Sequence, residues 1–263
     1  MNETLIAVIY GVVQGITEFL PVSSSGHLAL IPYFLGSKDP GVFFDLAMHI
    51  GTALAIIVSF RHQLRLLIVQ TLSIKTDSKS HFARNFYFSS FITVIFVFLI
   101  KGYAESFGRS PNLIAFNLVF FGAIMWGCDF FGKKEINLFH KTDFLRSGLI
   151  GLSQSFAIFP GVSRSGITLS SSRVLGLSRE TAASFSFLLS LPIIIGGFCY
   201  KLLGLIKDNA LLEIDWVSVG VGVTVSFIIG LLTIKFFMSL LSKVGLGIYF
   251  WYRLILAGII LYF

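Results

Sequence analysis

GVVQGITEFLPVSSSGHLALI, residues 11–31, is an apolar run interrupted by Glu18, by the serines Ser23, Ser24 and Ser25, and by His27. The setting makes those polar groups informative. The chain has 263 residues, 55% hydrophobic and only 13% charged, with a mean hydropathy of +0.87. A soluble domain usually carries about 25% charged residues. Apolar runs of about 20 residues, long enough to cross the hydrocarbon of a bilayer, recur along the sequence. We therefore expect an all-α polytopic membrane protein. The start, MNETLIAVIY, has neither a basic n-region nor a small-residue cleavage pattern, so no removable signal peptide is expected. Cys128 and Cys199 sit in apolar segments without a spacing motif and read as buried apolar residues. The net charge of +7 calls for no nucleic acid, because Lys and Arg in cytoplasmic loops orient membrane proteins.

Six runs read as full crossings, roughly 43–60, 86–100, 112–131, 183–204, 216–239 and 244–263. Two further apolar stretches, 1–36 and 148–178, are broken near the middle by Pro, Gly and Ser. They read as re-entrant helix-turn-helix hairpins. The two stretches are alike: at an offset of 140, Gly11, Gln14, Phe19, Val22, Ser23, Ser25, Gly26, Leu35 and Gly36 face identical residues, nine of 26 aligned positions. Three crossings separate the copies, so the second enters from the opposite face. The expectation is one membrane domain over 1–263 built as an inverted-topology repeat, about 1–131 and about 148–263. With both termini outside, thirteen Lys and Arg fall in cytoplasmic segments and five in outer ones, leaving Arg164 and Arg253 within the membrane. The stretch 75–85, KTDSKSHFARN, reads as a solvated cytoplasmic loop.

Irregular backbone at membrane depth persists only where protein or a water-filled cavity surrounds it. The turns at Pro21–Gly26 and Pro160–Gly166 should thus face each other or a cavity. A half-helix starting just after each set of serines aims free N–H groups and a positive dipole end inward, an arrangement suited to an anion. Serines in this position also cap helices, and the pattern alone does not choose. Charge favours the anion. Arg164, inside FPGVSRSGITLSSS, offers a planar fork of donors matched to phosphate; its alternative is an ion pair with a carboxylate such as Glu18. Thr168 shares its helical face. Gln14 and Glu18, four apart, share a face of the first half-helix, where Glu18 can bind a divalent cation, position water or accept a proton. His27 is a proton-transfer candidate three residues beyond Ser24, which reads either as a nucleophile or as a phosphate donor. His49 and Asp45 could support the site, although helix packing explains them equally well.

TEFLPVSSSGH and FPGVSRSGIT resemble the two signature motifs of the bacterial undecaprenyl-diphosphatase (bacitracin-resistance) family, in order, spacing and hydrophobic profile over essentially the whole chain. The resemblance implies an inverted repeat with two re-entrant hairpins in the bacterial cytoplasmic membrane. It implies a hydrolase that removes the terminal phosphate of undecaprenyl diphosphate, recycling the lipid carrier of peptidoglycan synthesis, with dependence on a divalent cation, Mg2+ or Ca2+. By the same resemblance Glu18, His27 and Ser24 are catalytic. Arg164, Ser163, Ser165, Thr168, Ser23, Ser25, Gly26 and Gly166 would hold the diphosphate, and Glu18 with Gln14 the metal. Gln14 stands where the family has Glu or Gln, which weakens any mechanism needing two carboxylates on that helix. The partners implied are a polyprenyl diphosphate and membrane lipids, with a homodimer left open. A lipid flippase or transporter is the rival reading, because inverted repeats with broken helices also build transporters.

Overall fold

The computed structural model describes residues 2–74, 80–107, 110–132, 140–241 and 243–262. Every regular element among them is helical: α1 (Glu3–Thr17), α2 (Ser24–Leu35), α3 (Val42–Ser59), α4 (Arg61–Leu72), α5 (His81–Phe107), α6 (Pro111–Phe131), α7 (Phe144–Ser155), α8 (Arg164–Val174), α9 (Arg179–Lys207), α10 (Trp216–Leu241) and α11 (Gly247–Tyr262), with short 3-10 turns after α7 and α9. Five of them, α3, α5, α6, α9 and α10, are long and apolar enough to cross a bilayer. Large side chains such as Phe91, Leu99, Val217, Leu232 and Phe236 point outward from them, the pattern expected of surfaces that meet acyl chains. The chain is a multi-pass membrane protein. The run expected at 244–263 forms α11, whose 16 residues are shorter than those five.

Several sequence expectations need correction. The expected solvated loop 75–85 is overturned over its second half: 75–79 lie outside the described residues, and His81–Asn85 form the first turn of α5. Phe82 and Asn85 are fully buried there. The Asn85 side chain accepts from the Asp143 N–H at 2.8 Å and donates to the Lys141 carbonyl at 2.7 Å, which fastens that turn to the entry of α7. Helix α4 was not expected, because Arg61, His62, Gln63, Arg65 and Gln70 dilute its apolar residues. Cys199 is exposed rather than buried, and Cys128 is half-buried. Of the loop cations, Lys75, Lys79, Arg109, Lys133 and Lys134 lie outside the described residues.

The first helix of each broken hairpin packs along a long helix through small residues. A Cβ on Gly11 of α1 would stand 2.6 Å from the Gly222 carbonyl oxygen of α10, and one on Gly151 of α7 would stand 2.3 Å from the Ser89 carbonyl oxygen of α5. Lipid supplies no hydrophobic drive between helices, so such close backbone approach and the hydrogen bonds it permits hold them together. Ser89 Oγ donates to the Ser147 carbonyl at 2.6 Å, and Thr93 Oγ1 donates to the Gly151 carbonyl at 2.9 Å. Between these pairs lies an aromatic centre, where Phe187 of α9 meets Phe19, Phe60 and Phe237 at centroid distances of 5.2, 5.9 and 5.9 Å.

Arg173, counted among the cytoplasmic cations, carries a carboxylate partner inside the fold. It is buried in the last turn of α8, where its Nε donates to Asp129 Oδ1 at 3.0 Å. The same carboxylate accepts from Arg179 Nε at 2.8 Å and Nη2 at 2.7 Å, and from the Leu246 N–H at 3.0 Å. Asp129 thus ties α6, α8, α9 and the entry to α11. Removing one partner of a buried ionic cluster strands the others. Asp129→Ala is expected to lower stability by about 3–5 kcal/mol, read as a large fall in detergent Tm; a Tm within one or two degrees of the unaltered protein would reject this role.

Candidate functional site

Both broken hairpins turn in the same way. Ser23 caps α2 with φ 74° and ψ 92°, and Ser163 caps α8 with φ 67° and ψ 109°. Left-handed backbone is unfavourable for a residue with a Cβ, and such strain concentrates at functional turns. Each serine offsets it by accepting a bond from the N–H three residues on, Gly26 at 3.4 Å and Gly166 at 3.2 Å. In each turn this hydroxyl also meets the next but one, Ser23 with Ser25 at 3.3 Å and Ser163 with Ser165 at 3.4 Å.

The turns face each other and exchange hydrogen bonds. Ser25 Oγ in the first accepts from the Gly161 N–H in the second at 3.4 Å. Ser165 Oγ in the second donates to the Leu20 carbonyl in the first at 3.3 Å. Gly161, at φ 89°, must be glycine: a Cβ there would lie 2.6 Å from the Ile114 carbonyl oxygen of α6. Asn117 of α6 steadies the same turn by donating to the Pro160 carbonyl at 2.8 Å.

Glu18 is the centre of the polar cluster. It caps the end of α1, is 5% exposed, and lies among four donors. Its Oε1 is ion-paired with Arg164 Nη2. Its Oε2 accepts from Gln14 Nε2 at 3.0 Å and Ser24 Oγ at 2.7 Å, with His49 Nε2 at 3.4 Å. One carboxylate therefore joins the end of the first half-helix, the start of the second, the start of α8 and the middle of α3. In a low-dielectric interior this neutralises a guanidinium that would otherwise be costly. Arg164 thus takes the carboxylate partner, the arrangement that the sequence weighed against a phosphate role. The pair is not closed to a ligand, because a guanidinium fork has donors beyond the one that meets Glu18.

Two placements depart from expectation, those of His27 and Thr168, while His49 takes the supporting place the sequence allowed it. His27 does not meet Ser24: its Nδ1 lies 2.7 Å from the Ser23 carbonyl and its Nε2 2.7 Å from the Tyr252 hydroxyl of α11. A carbonyl only accepts, so Nδ1 carries a proton and, in the neutral ring, Nε2 takes the tyrosine's. The carboxylate beside Ser24 is that of Glu18. Thr168 does not present its hydroxyl to the turns either; Oγ1 donates to the Arg164 carbonyl at 2.7 Å and meets Ser186 Oγ of α9. His49 is in the cluster, anchored through Nδ1 at 2.7 Å from the Asp45 carbonyl, with Nε2 turned to Glu18. A histidine on an apolar helix face gives no local sign of such a partner.

Fit for a divalent cation rests on the oxygens. Gln14 Oε1 is buried and accepts no hydrogen bond, on the amide whose Nε2 meets the Glu18 carboxylate, to which the Ser24 hydroxyl also donates. These are hard donors of the kind Mg2+ and Ca2+ take, with phosphate oxygens completing the shell. Among the described residues no three His, Cys, Asp or Glu gather to hold an ion by themselves. The set therefore fits a cation shared with a phosphate ligand.

The family described as "Bacitracin resistance protein BacA" matches residues 7–259, a span that contains both turns and every site residue described above. The chain belongs to the BacA family. Similar relatives include the undecaprenyl-diphosphatase of Alcanivorax borkumensis, 40% identical over 97% of this chain and 97% of its own length. That of Caldicellulosiruptor bescii is 38% identical over 99% and 97%, and that of Moorella thermoacetica 38% identical over 97% and 95%. The similarity to these BacA-family proteins therefore runs the length of the chain, through α3 and α11 as well as the two motif turns.

Proposed function

We propose that this BacA-family protein is an integral membrane hydrolase that converts undecaprenyl diphosphate to undecaprenyl phosphate and inorganic phosphate, recycling the lipid carrier of peptidoglycan synthesis and conferring bacitracin resistance. One observation carries the reading to these residues: Glu18 binds Ser24 and Arg164 at once, where two strained, serine-lined turns meet.

In this reading the diphosphate enters between the turns and Arg164 donates to its oxygens alongside Glu18. The nucleophile is Ser24 Oγ or a water in its place. As its oxygen bonds to the terminal phosphorus, its proton passes to Glu18 Oε2. The bond from that phosphorus to the bridging oxygen breaks, and undecaprenyl phosphate leaves. If Ser24 attacks, water then cleaves the phosphoserine. Arg164, Ser163, Ser165 and the first N–H groups of α8 supply positive potential where charge builds up. His27, locked between Ser23 and Tyr252, holds the first turn in shape and places α11 against it. Glu18 and Gln14 would hold a Mg2+ or Ca2+ ion, which would supply further neutralisation of the phosphates.

The same proposal includes six crossings, with α11 as the sixth, and an inverted repeat of about 1–131 and about 148–263 with re-entrant hairpins at 1–36 and 148–178. Supporting it, Ser23 and Ser163 share one unusual backbone conformation. The partners are also exchanged as an inverted repeat requires: α1 lies along α10, and α7 along α5. The Lys and Arg distribution supports both termini on the outer side of the bacterial cytoplasmic membrane.

The test is phosphate release by the purified protein in detergent from a C55 diphosphate, with and without chelator. Release that stops with chelator and returns with Mg2+ or Ca2+ is expected. A protein that only moved the lipid would release none, which rejects the reading; release indifferent to chelator rejects the cation.

A further inference from the structure

We propose that Arg253 of α11 is a second phosphate-binding residue, holding its guanidinium at the α8 turn for an oxygen of the diphosphate. Arg253 is fully buried, the bulkiest side chain so placed. Its Nη2 donates to the Gly161 and Val162 carbonyls, both at 2.7 Å, while Nε and Nη1 have no partner. Buried Arg173 and the largely enclosed Arg164 are matched by carboxylates, Arg164 by Glu18 and Arg173 by Asp129. Among the described residues Arg253 has none within ion-pair distance.

A cation at membrane depth held only by carbonyls is a poor structural device. The tie to two carbonyls needs one NH2 group, which an uncharged amide supplies without the cost of burying a charge. The rest of the fork is aimed at a defined place. An added Cβ on Gly166 would lie 3.5 Å from Nη1, so the free donor faces the first turn of α8, the 11-residue helix capped by Ser163. Helix end and guanidinium attract the same thing, an anion with several oxygens. Room for the side chain is built in: its stem crosses Gly122 of α6, where a Cβ would stand 3.4 Å from Cδ. The ring before it, Tyr252, is 46% exposed and binds His27, and Ser25 is exposed beside the same turn, so α11 brings Arg253 to the flank of the proposed active site. Arg164, committed to Glu18, then shares the headgroup with a guanidinium that has no other counter-charge.

This inference rests on the diphosphatase reading, and binding of inorganic pyrophosphate separates the two. The full-length protein in detergent is compared with Arg253→Gln, Arg253→Lys and Gly166→Ala for the pyrophosphate-induced rise in Tm, pyrophosphate affinity and the KM for the lipid diphosphate. We expect Arg253→Gln to weaken pyrophosphate binding and raise KM at least about tenfold, a lost charge-assisted contact of about 1.4 kcal/mol or more. Arg253→Lys should recover much of this, because the charge returns. Gly166→Ala leaves the guanidinium in place but puts a methyl group 3.5 Å from Nη1 and 3.2 Å from Ser163 Oγ, and should weaken binding at least comparably. A role confined to tying the turn would lower the ligand-free Tm of Arg253→Gln and leave the pyrophosphate response unchanged. Binding within twofold of the unaltered protein in Arg253→Gln or Gly166→Ala overturns the proposal, as does absence of any pyrophosphate response in the unaltered protein; if Arg253→Gln does not fold, Gly166→Ala decides. Failure of the unaltered protein to hydrolyse the lipid, with pyrophosphate still bound through Arg253, rejects only the diphosphatase reading.

Discussion

Glu18→Gln is expected to slow phosphate release about 10³-fold, within the range that removal of a positioned proton acceptor produces. The amide keeps the shape of the carboxylate but accepts through one oxygen instead of two. It can no longer take the Ser24 proton across the 2.7 Å contact, and it leaves Arg164 without its counter-charge. The second effect reaches stability, because an uncompensated buried guanidinium is costly. Rates are therefore to be compared at a temperature where both proteins give a monodisperse, folded peak. Activity within about threefold of the unaltered enzyme would remove Glu18 from the chemistry.

Arg164→Lys is expected to slow the reaction by about 10²- to 10³-fold, the loss seen when one donor to a developing charge is removed. The charge is kept, but a lysine is a point donor and cannot hold the Glu18 carboxylate and a phosphate oxygen together as a planar fork does. The ion pair makes a further outcome specific. Glu18 and Arg164 act as one unit, so the double variant should be little slower than the worse single variant instead of showing the product of both losses. Multiplying losses would mean that the two residues serve separate steps. Single-turnover measurements of phosphate release distinguish these outcomes.

Much of this site was legible in the sequence because its defining signals are local. Pro21 and the serine run interrupt an apolar helix within a few residues, and Pro160, Gly161 and the second serine pair do the same, so the two breaks and their likeness can be read directly. Arg164 and Glu18 are conspicuous because ionised groups are rare in such surroundings. Partner choice is another matter. That Glu18 would take Arg164, Ser24, Gln14 and His49 together depends on how α1, α3 and α8 cross, which no single segment encodes. Proximity in sequence misled at His27, three residues from Ser24 but turned toward Tyr252, 225 residues away. It misled again at Thr168, whose face of α8 meets α9. Asp129 gave no sign of the two arginines it holds. Helix α4 escaped notice because polar residues dilute its apolar ones, and the hydropathy that marks a crossing is silent on such a helix.

The fastening of the second turn by α11 sets an order of assembly. Gly161 and Val162 leave the ribosome some ninety residues before the arginine that satisfies their carbonyls, 92 and 91 positions on. Until that last hydrophobic segment is inserted, a kinked loop with orphaned backbone oxygens sits within the bilayer. A nascent chain stalled before Arg253 should therefore be a substrate for membrane quality-control proteases even though every earlier helix is already in place.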